Sequence, residues 1–247
     1  MSQSFTLVFI FLIFVLAGAV KGMIGMGLPT VAIAVLGLIM TPAQAAAILV
    51  LPTLVTNVWQ AAAGRGFFML LRRLWPVFAG ILAGSWIGAV VLHSVASPWA
   101  TTALGIVLML YSALGLSKVH FSVPPKSEFW LAPLIGTVTG VIAVATGVFS
   151  LPGLPYFDGL HFKRDDLVQA LGMLFTISTV ALAAALVHGG VLHYSAAGLS
   201  VLALIASLIG MVLGQTVRGR VRPELFRKIF FIGLLLLGTH LALRGIL

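Results

Sequence analysis

The 247-residue chain is 61% hydrophobic and only 8% charged, with a mean hydropathy of +1.19. Soluble domains carry about a quarter charged residues, so the composition excludes that class and implies an all-α polytopic membrane protein within a lipid bilayer. The net charge of +9 then marks loops that meet lipid headgroups, not a nucleic-acid groove, and the absence of cysteine removes disulfides, thiolate nucleophiles and zinc-thiolate sites.

The chain opens on an apolar region, 5–40, that is too long for one span and broken in its middle. Its first run, 5–20, has no basic stretch before it and no small-residue cleavage site after it, and reads as a retained helix. The break reads Gly18-x3-Gly22-Met-Ile-Gly25-Met-Gly27-Leu-Pro29. Glycine and proline at this density free backbone groups that hydrocarbon cannot satisfy, so the break belongs inside protein or beside a water-filled cavity. Lys21 lies beside it. A lysine at depth costs about 2.5–3.5 kcal/mol on insertion scales and is tolerated mainly for function. Two readings of Lys21 stand side by side: contact with an anionic substrate, or a stem that snorkels to an interface or a structural carbonyl. The amides of Gly22, Gly25 and Gly27, ahead of Pro29, either complement an anion's oxygens or permit close helix packing.

Span 43–63 follows, with Thr53, Asn57 and Gln60 at i, i+4, i+7 and so on one helical face. Spans 74–95 and 98–117 complete the first half, and 118–128, with Pro124-Pro125, is the stretch polar enough to be a linker. A second over-long region, 129–157, is interrupted at Gly136-x3-Gly140 and at Ala145-Thr146-Gly147-Val-Phe-Ser-Leu-Pro152-Gly153-Leu-Pro155. Spans 167–188, 194–214 and 225–243 close the chain, and the first of them carries Thr176, Ser178 and Thr179 at the depth of Thr53. Such hydroxyls and amides suit a neutral lining for sulfonate or carboxylate oxygens, or hydrogen bonds between helices. Pro52, Pro76 and Pro133 read as kinks.

Of the 14 Lys and Arg residues, all but Lys21 and Arg244 fall in four loops, which leaves twelve. If each broken region crosses once, the twelve divide five to seven across the membrane. If each is a hairpin that returns to its starting side, all twelve share one side, as the positive-inside rule asks. The chain then divides into a first repeat at 1–117, a cytoplasmic linker at 118–128 and a second repeat at 129–247. Each repeat is a broken-helix hairpin plus three transmembrane helices, and the second is inverted. Placing Gln44 on Gln169 also pairs Ala45 with Ala170, Leu49 with Leu174, Thr53 with Ser178 and Val55 with Val180. Inverted repeats with discontinuous helices near the midplane are an architecture of secondary transporters.

The run from Gly22 to Pro29 resembles the opening motif of the sulfite exporter TauE/SafE family, and Thr146-Gly147-x4-Pro152 sits where that family's second repeat begins. The resemblance extends from residue 5 to about 242 in size, span pattern and duplication, with the family's consecutive glycines thinned here to alternating Gly25 and Gly27. It implies a small permease of the inner membrane for sulfite, organosulfonates or related anions.

All five carboxylates, Glu128, Asp158, Asp165, Asp166 and Glu224, fall in loops or at span ends, which argues against cation transport through buried acids. His93, His188, His193 and His240 map to outer span ends, Asp165-Asp166 to a solvated helix cap, and the basic cluster 218–228 to lipid-facing topogenic charge. No H-E-x-x-H, G-x-S-x-G or P-loop occurs, so neither a catalytic residue, a metal site nor a cofactor is expected. The resulting expectation is an exporter or facilitator of small anions whose two hairpin tips meet near the midplane. Its candidate binding residues are Lys21, Gly22, Gly25, Gly27, Pro29, Thr53, Asn57, Thr146, Gly147, Thr176 and Thr179. A membrane-embedded enzyme or assembly factor, and an anion channel, are the alternatives; homo-oligomerisation is left open.

Overall fold

A computed structural model describes residues 3–91, 99–117, 122–191, 197–217 and 222–244. Among the described residues it is all-helical, in the order α1 (Gln3–Ile24), α2 (Leu28–Leu36), α3 (Pro42–Ala62), α4 (Phe67–Val91), α5 (Trp99–Leu116), α6 (Pro125–Thr146), α7 (Gly153–Gly159), α8 (Arg164–His188), α9 (Ala197–Val217) and α10 (Pro223–Arg244). Eight of these are long and apolar enough to cross a membrane. The other two, α2 with 9 residues and α7 with 7, are the short arms that follow the two breaks.

Glycine decides how the outer helices pack. On α1, Gly18 and Gly22 face the backbone of Ser207 and Met211 on α9, while Gly210 and Gly214 face Val15 and Ala19 in return. On α6, Gly136 and Gly140 face Val77 and Ile81 of α4, while Gly80 and Gly84 face Pro133 and Thr137. A Cβ at any of these glycines would fall on a partner carbonyl oxygen. Lipid supplies no hydrophobic drive between helices, so backbone contact through small residues is the available source of association. The matched residues rise together along each pair, so α1 runs parallel to α9 and α4 parallel to α6. At the centre, α3 and α8 run antiparallel, Gly172 facing Gln60 and Ala61 while Gly66, just past α3, faces Asp166 and Gln169; Gln60 Nε2 donates to Val168 O at 2.8 Å and Gln169 Nε2 to Ala61 O at 2.7 Å. Helices α5 and α10 form a further antiparallel pair, with Gly105 against Gly238 and Ala242, and Gly115 against the Phe231 ring.

The described parts of the four basic loops, and the helix ends beside them, come together at one end of the bundle. Arg73 bonds both carboxylate oxygens of Glu128, at 2.7 and 2.8 Å. Gly66 N donates to Gln169 Oε1 at 3.0 Å, Val123 N to Gly159 O at 3.0 Å, and Arg227 Nη2 to Gly115 O at 3.1 Å. Single crossings of both broken regions would have put 64–73 and 158–166 at opposite ends.

Three expectations are corrected in their limits. The span expected from 74 begins at Phe67, because the bilayer-sized apolar run ends at Arg72 and Arg73 while the helix continues past them into the loop region. The first break is confined to 25–27 and the second to 147–152, since Gly18, Gly22, Gly136 and Gly140 all lie inside helices. His93, His193, Arg218, Arg220, part of the linker at 118–121 and the ends of spans 74–95 and 194–214 lie outside the described residues.

Candidate functional site

Lys21 sits in the last turn of α1, 3% exposed. It has no carboxylate partner: among the described residues the one salt bridge joins Arg73 to Glu128. Its ammonium reaches across to α3, donating to Thr56 Oγ1 at 3.0 Å and to Asn57 Oδ1. Thr56 can accept because its own proton goes to Pro52 O at 2.8 Å. Asn57 is fully buried, and turning Oδ1 to the lysine leaves its Nδ2 donors without a partner. One turn earlier, Thr53 is also fully buried with an unpartnered Oγ1. The cluster therefore offers an ammonium and an amide NH2 with no anionic acceptor. A buried charge and buried unpaired donors are costly unless something compensates them, and the complementary species is an anion with several oxygens.

The chain beside Lys21 explains why the helix stops there. Gly25 N closes α1 on Lys21 O at 2.7 Å, and Gly25 and Gly27 take φ of 82° and 99°, which residues with a Cβ rarely adopt. Gly27 then caps α2, with the buried Pro29 in its first turn, where the missing amide proton is no loss. In the second break Gly147 caps α6 at φ 73°, and Thr146 Oγ1 donates to Ile142 O at 2.8 Å and accepts from Val148 N at 3.2 Å. The second break touches α2, the arm that follows the first: Thr30 Oγ1 and Ser150 Oγ are 3.1 Å apart, and a Cβ at Gly147 would strike Ile33 of α2.

The expected site residues thus separate. Lys21, Asn57 and Thr53 gather on the α1–α3 side, with Gly25 and Gly27 in the adjoining break. Gly22 lies inside α1 against Met211, so packing accounts for it. Thr176 and Thr179 return their protons to Gly172 O and Phe175 O within α8, at 2.7 and 2.6 Å, and no hydrogen bond among the described residues joins them or Thr146 to Lys21. Ser178, fully buried and unpartnered, is brought level with Thr53 by the α3–α8 register. Sequence reasoning missed Thr56, Thr30 and Ser150. Thr56 was marked only by standing next to Asn57; Thr30 and Ser150 are the hydroxyl residues closest to each break's proline.

A cavity of about 390 Å³ lies at the basic end, between Ile24 at the end of α1, Met26 of the first break, Tyr111 of α5, Leu154 and Asp158 of α7, and Arg227 of α10. Arg227 was expected to face lipid, and is corrected: it anchors on Gly115 O and lines this space. Enclosure by the walls pushes the Asp158 carboxyl above its ordinary range, with Arg227 opposing. His161, in a left-handed turn at φ 54°, bonds Ser122 at 3.1 Å on the rim.

The model of the sulfite exporter TauE/SafE family matches residues 10–241, nearly the whole chain, and the protein belongs to that family of membrane transporters. No curated protein and no solved structure is matched by the chain.

Proposed function

We propose that this TauE/SafE member exports a small anion, sulfite or an organosulfonate, across the inner membrane, and that Lys21 and Asn57 hold the anion next to the first break. The observation that carries the reading is a buried ammonium whose partners are both neutral, beside an amide that directs unpartnered donors into the same interior. An anion arriving there relieves both, and leaves again because no covalent or metal bond retains it.

The surroundings support a moving site. The short arm α2 is tied to the second break through Thr30 and Ser150, and the first helix of each half packs on the penultimate helix of the other, α1 on α9 and α6 on α4. That exchange is what two inverted repeats, 1–117 and 129–247, would produce, and rocking one against the other is the expected way to alternate access. With the four basic loops cytoplasmic, an inside-negative potential drives an anion outward by about 2.3 kcal/mol per charge per 100 mV, so no coupled ion is required.

The test is flux from proteoliposomes preloaded with sulfite, short-chain sulfonates and carboxylates, at set potentials. Potential-dependent efflux of at least one of these anions is expected, lost on Lys21→Met. No flux of any of them would sink the reading. Single-cysteine labelling, clean in this cysteine-free chain, should place loops 64–73 and 158–166 on the same side.

A further inference from the structure

The cavity at the basic end is larger and more apolar than a bare oxyanion requires. Its volume of about 390 Å³ falls in the range of sites for small organic ligands, which pair apolar walls with a few placed polar groups. Leu114, Leu154, Pro155 and Phe231 supply the walls and Arg227 the cation. Arg227 is exposed to the cavity and spends one donor on Gly115 O; its other donors have no acceptor among the described contacts, and it forms no salt bridge with Asp158. A guanidinium with one Nη2 proton engaged still has an edge of two parallel N–H groups, suited to two oxygens of one sulfonate or carboxylate head. Ile24 and Met26, also in the wall, come three and five residues after Lys21 along the chain, so this space adjoins the break beside the proposed transport site.

We propose that the cavity is an entry site for an organic anion, in which Arg227 binds the head group and Leu154, Pro155 and Phe231 cover a short apolar body before the anion passes to Lys21. Sulfite has no apolar surface to place against those walls and gains little there. Asp158, which lines the same cavity as Arg227, keeps the empty site from accumulating inorganic anions, because its charge partly cancels the attraction for any ligand that gains nothing from the walls. The inference rests on the export reading and assigns the substrate a body of several carbons.

The test uses Ser117→Cys, a lining position, in full-length protein in phosphatidylcholine vesicles, with a thiol reagent applied from the side of the basic loops. 1-Butanesulfonate is expected to slow labelling, and over the ethane, propane and butane sulfonates the half-protecting concentration should fall about fourfold per methylene. Arg227→Gln should raise that concentration, and the half-saturating concentration for flux, by about tenfold or more, the loss of one charge-assisted pair; Arg227→Lys should recover part of it. Sulfite should protect poorly. Equal protection by sulfite and butanesulfonate, no response to Arg227→Gln in protein that elutes as wild type, or full protection by added phosphatidylglycerol without sulfonate would each overturn the entry site. Protection without any flux would retire the export reading and leave the cavity standing; flux through Lys21 without protection would do the reverse.

Discussion

Lys21 and Thr139 hold equivalent places in the two halves, Gly18-x-x-Lys21-Gly22 on α1 and Gly136-x-x-Thr139-Gly140 on α6. Both pairs of glycines seat their helix on a partner backbone, and both polar residues are buried, at 3% and 0% exposure. There the likeness stops. Thr139 returns its proton to Ile135 O at 2.8 Å within its own helix, whereas Lys21 leaves its helix for Thr56 and Asn57. The central pair continues the contrast: with Gln44 set on Gln169, Asn57 stands opposite Leu182 and Gln60 opposite Ala185. Positions shared by the halves are those that bring backbones together. Positions that differ are those that present charge and donors. Under the proposed export mechanism, a scaffold built this way would let two similar bodies rock while the anion meets a cation in one of them alone.

The shared part of the comparison breaks under substitution of the glycines. Gly22→Ile and Gly140→Ile each drive a branched side chain into a carbonyl oxygen, of Met211 and Ile81 respectively. Overpacking against backbone cannot be relieved by a rotamer change. Both variants should lose most of their folded protein, seen as monodisperse yield on size exclusion, and they should lose it alike. A loss in one half only would mean that the two stripes do not share a role.

The unshared part is sharpened by Lys21→Met set against Thr139→Val. Methionine keeps an apolar stem, so the folded yield should hold; without the ammonium the anion sits uncompensated at depth. Initial flux should fall about a hundredfold, or about 2.7 kcal/mol on the transition barrier. Thr139→Val removes a hydroxyl already satisfied within its helix, and flux should stay within about twofold of wild type.

A smaller effect is expected where one half is given the residue of the other. Asn57→Leu matches Leu182 and leaves Lys21 with Thr56 alone, so flux should fall about tenfold, the worth of one hydrogen bond to a charged group. Leu182→Asn should confer nothing, because no cation stands at Thr139. A gain of flux in Leu182→Asn would show that the second half carries a latent site.

Much of this was legible from residue order. Long apolar runs specify spans, and glycine with proline specifies breaks, because lipid penalises every unsatisfied backbone group. Lys21 and Asn57 stood out for the same reason, as the polar groups most expensive to leave alone at depth. Three things were not legible. The glycine pairs that flank each break look like part of it, since the same residue type serves both a left-handed turn and close packing; only the facing helix distinguishes Gly22 from Gly25. Thr56 borders the face that Thr53, Asn57 and Gln60 define, i+3 from Thr53, but a helical threonine can satisfy its own hydroxyl at Pro52 O, and only the reach of the lysine stem marks it as part of the site. Arg227 reads as one charge in a basic cluster, and its place in the cavity follows from the α5–α10 pairing, which sequence periodicity does not encode.

The contact between the breaks should carry the smallest effect, and it decides whether the two halves move as coupled bodies. Thr30 Oγ1 and Ser150 Oγ, 3.1 Å apart, form a buried hydroxyl pair between α2 and the second break. Ser150 is also hydrogen-bonded to the Tyr111 hydroxyl, so Thr30→Val leaves it one partner while Ser150→Ala strands both Thr30 and Tyr111; the bond shared by Thr30 and Ser150 is lost once in either variant, so their costs should not add. In bilayers such pairs average about 0.6 kcal/mol and reach about 1.7, which sets a coupling of about 1 kcal/mol in thermal stability measured in lipid. If the contact also opens during transport, each single variant loses a bond present in the closed state and absent from the open one. Flux should then rise up to about fivefold while stability falls, since destabilising the closed state lowers the barrier out of it by about the same 1 kcal/mol. A coupling near zero would separate the breaks energetically, and stability loss without a rise in flux would make the pair a fixed clasp around which both halves turn.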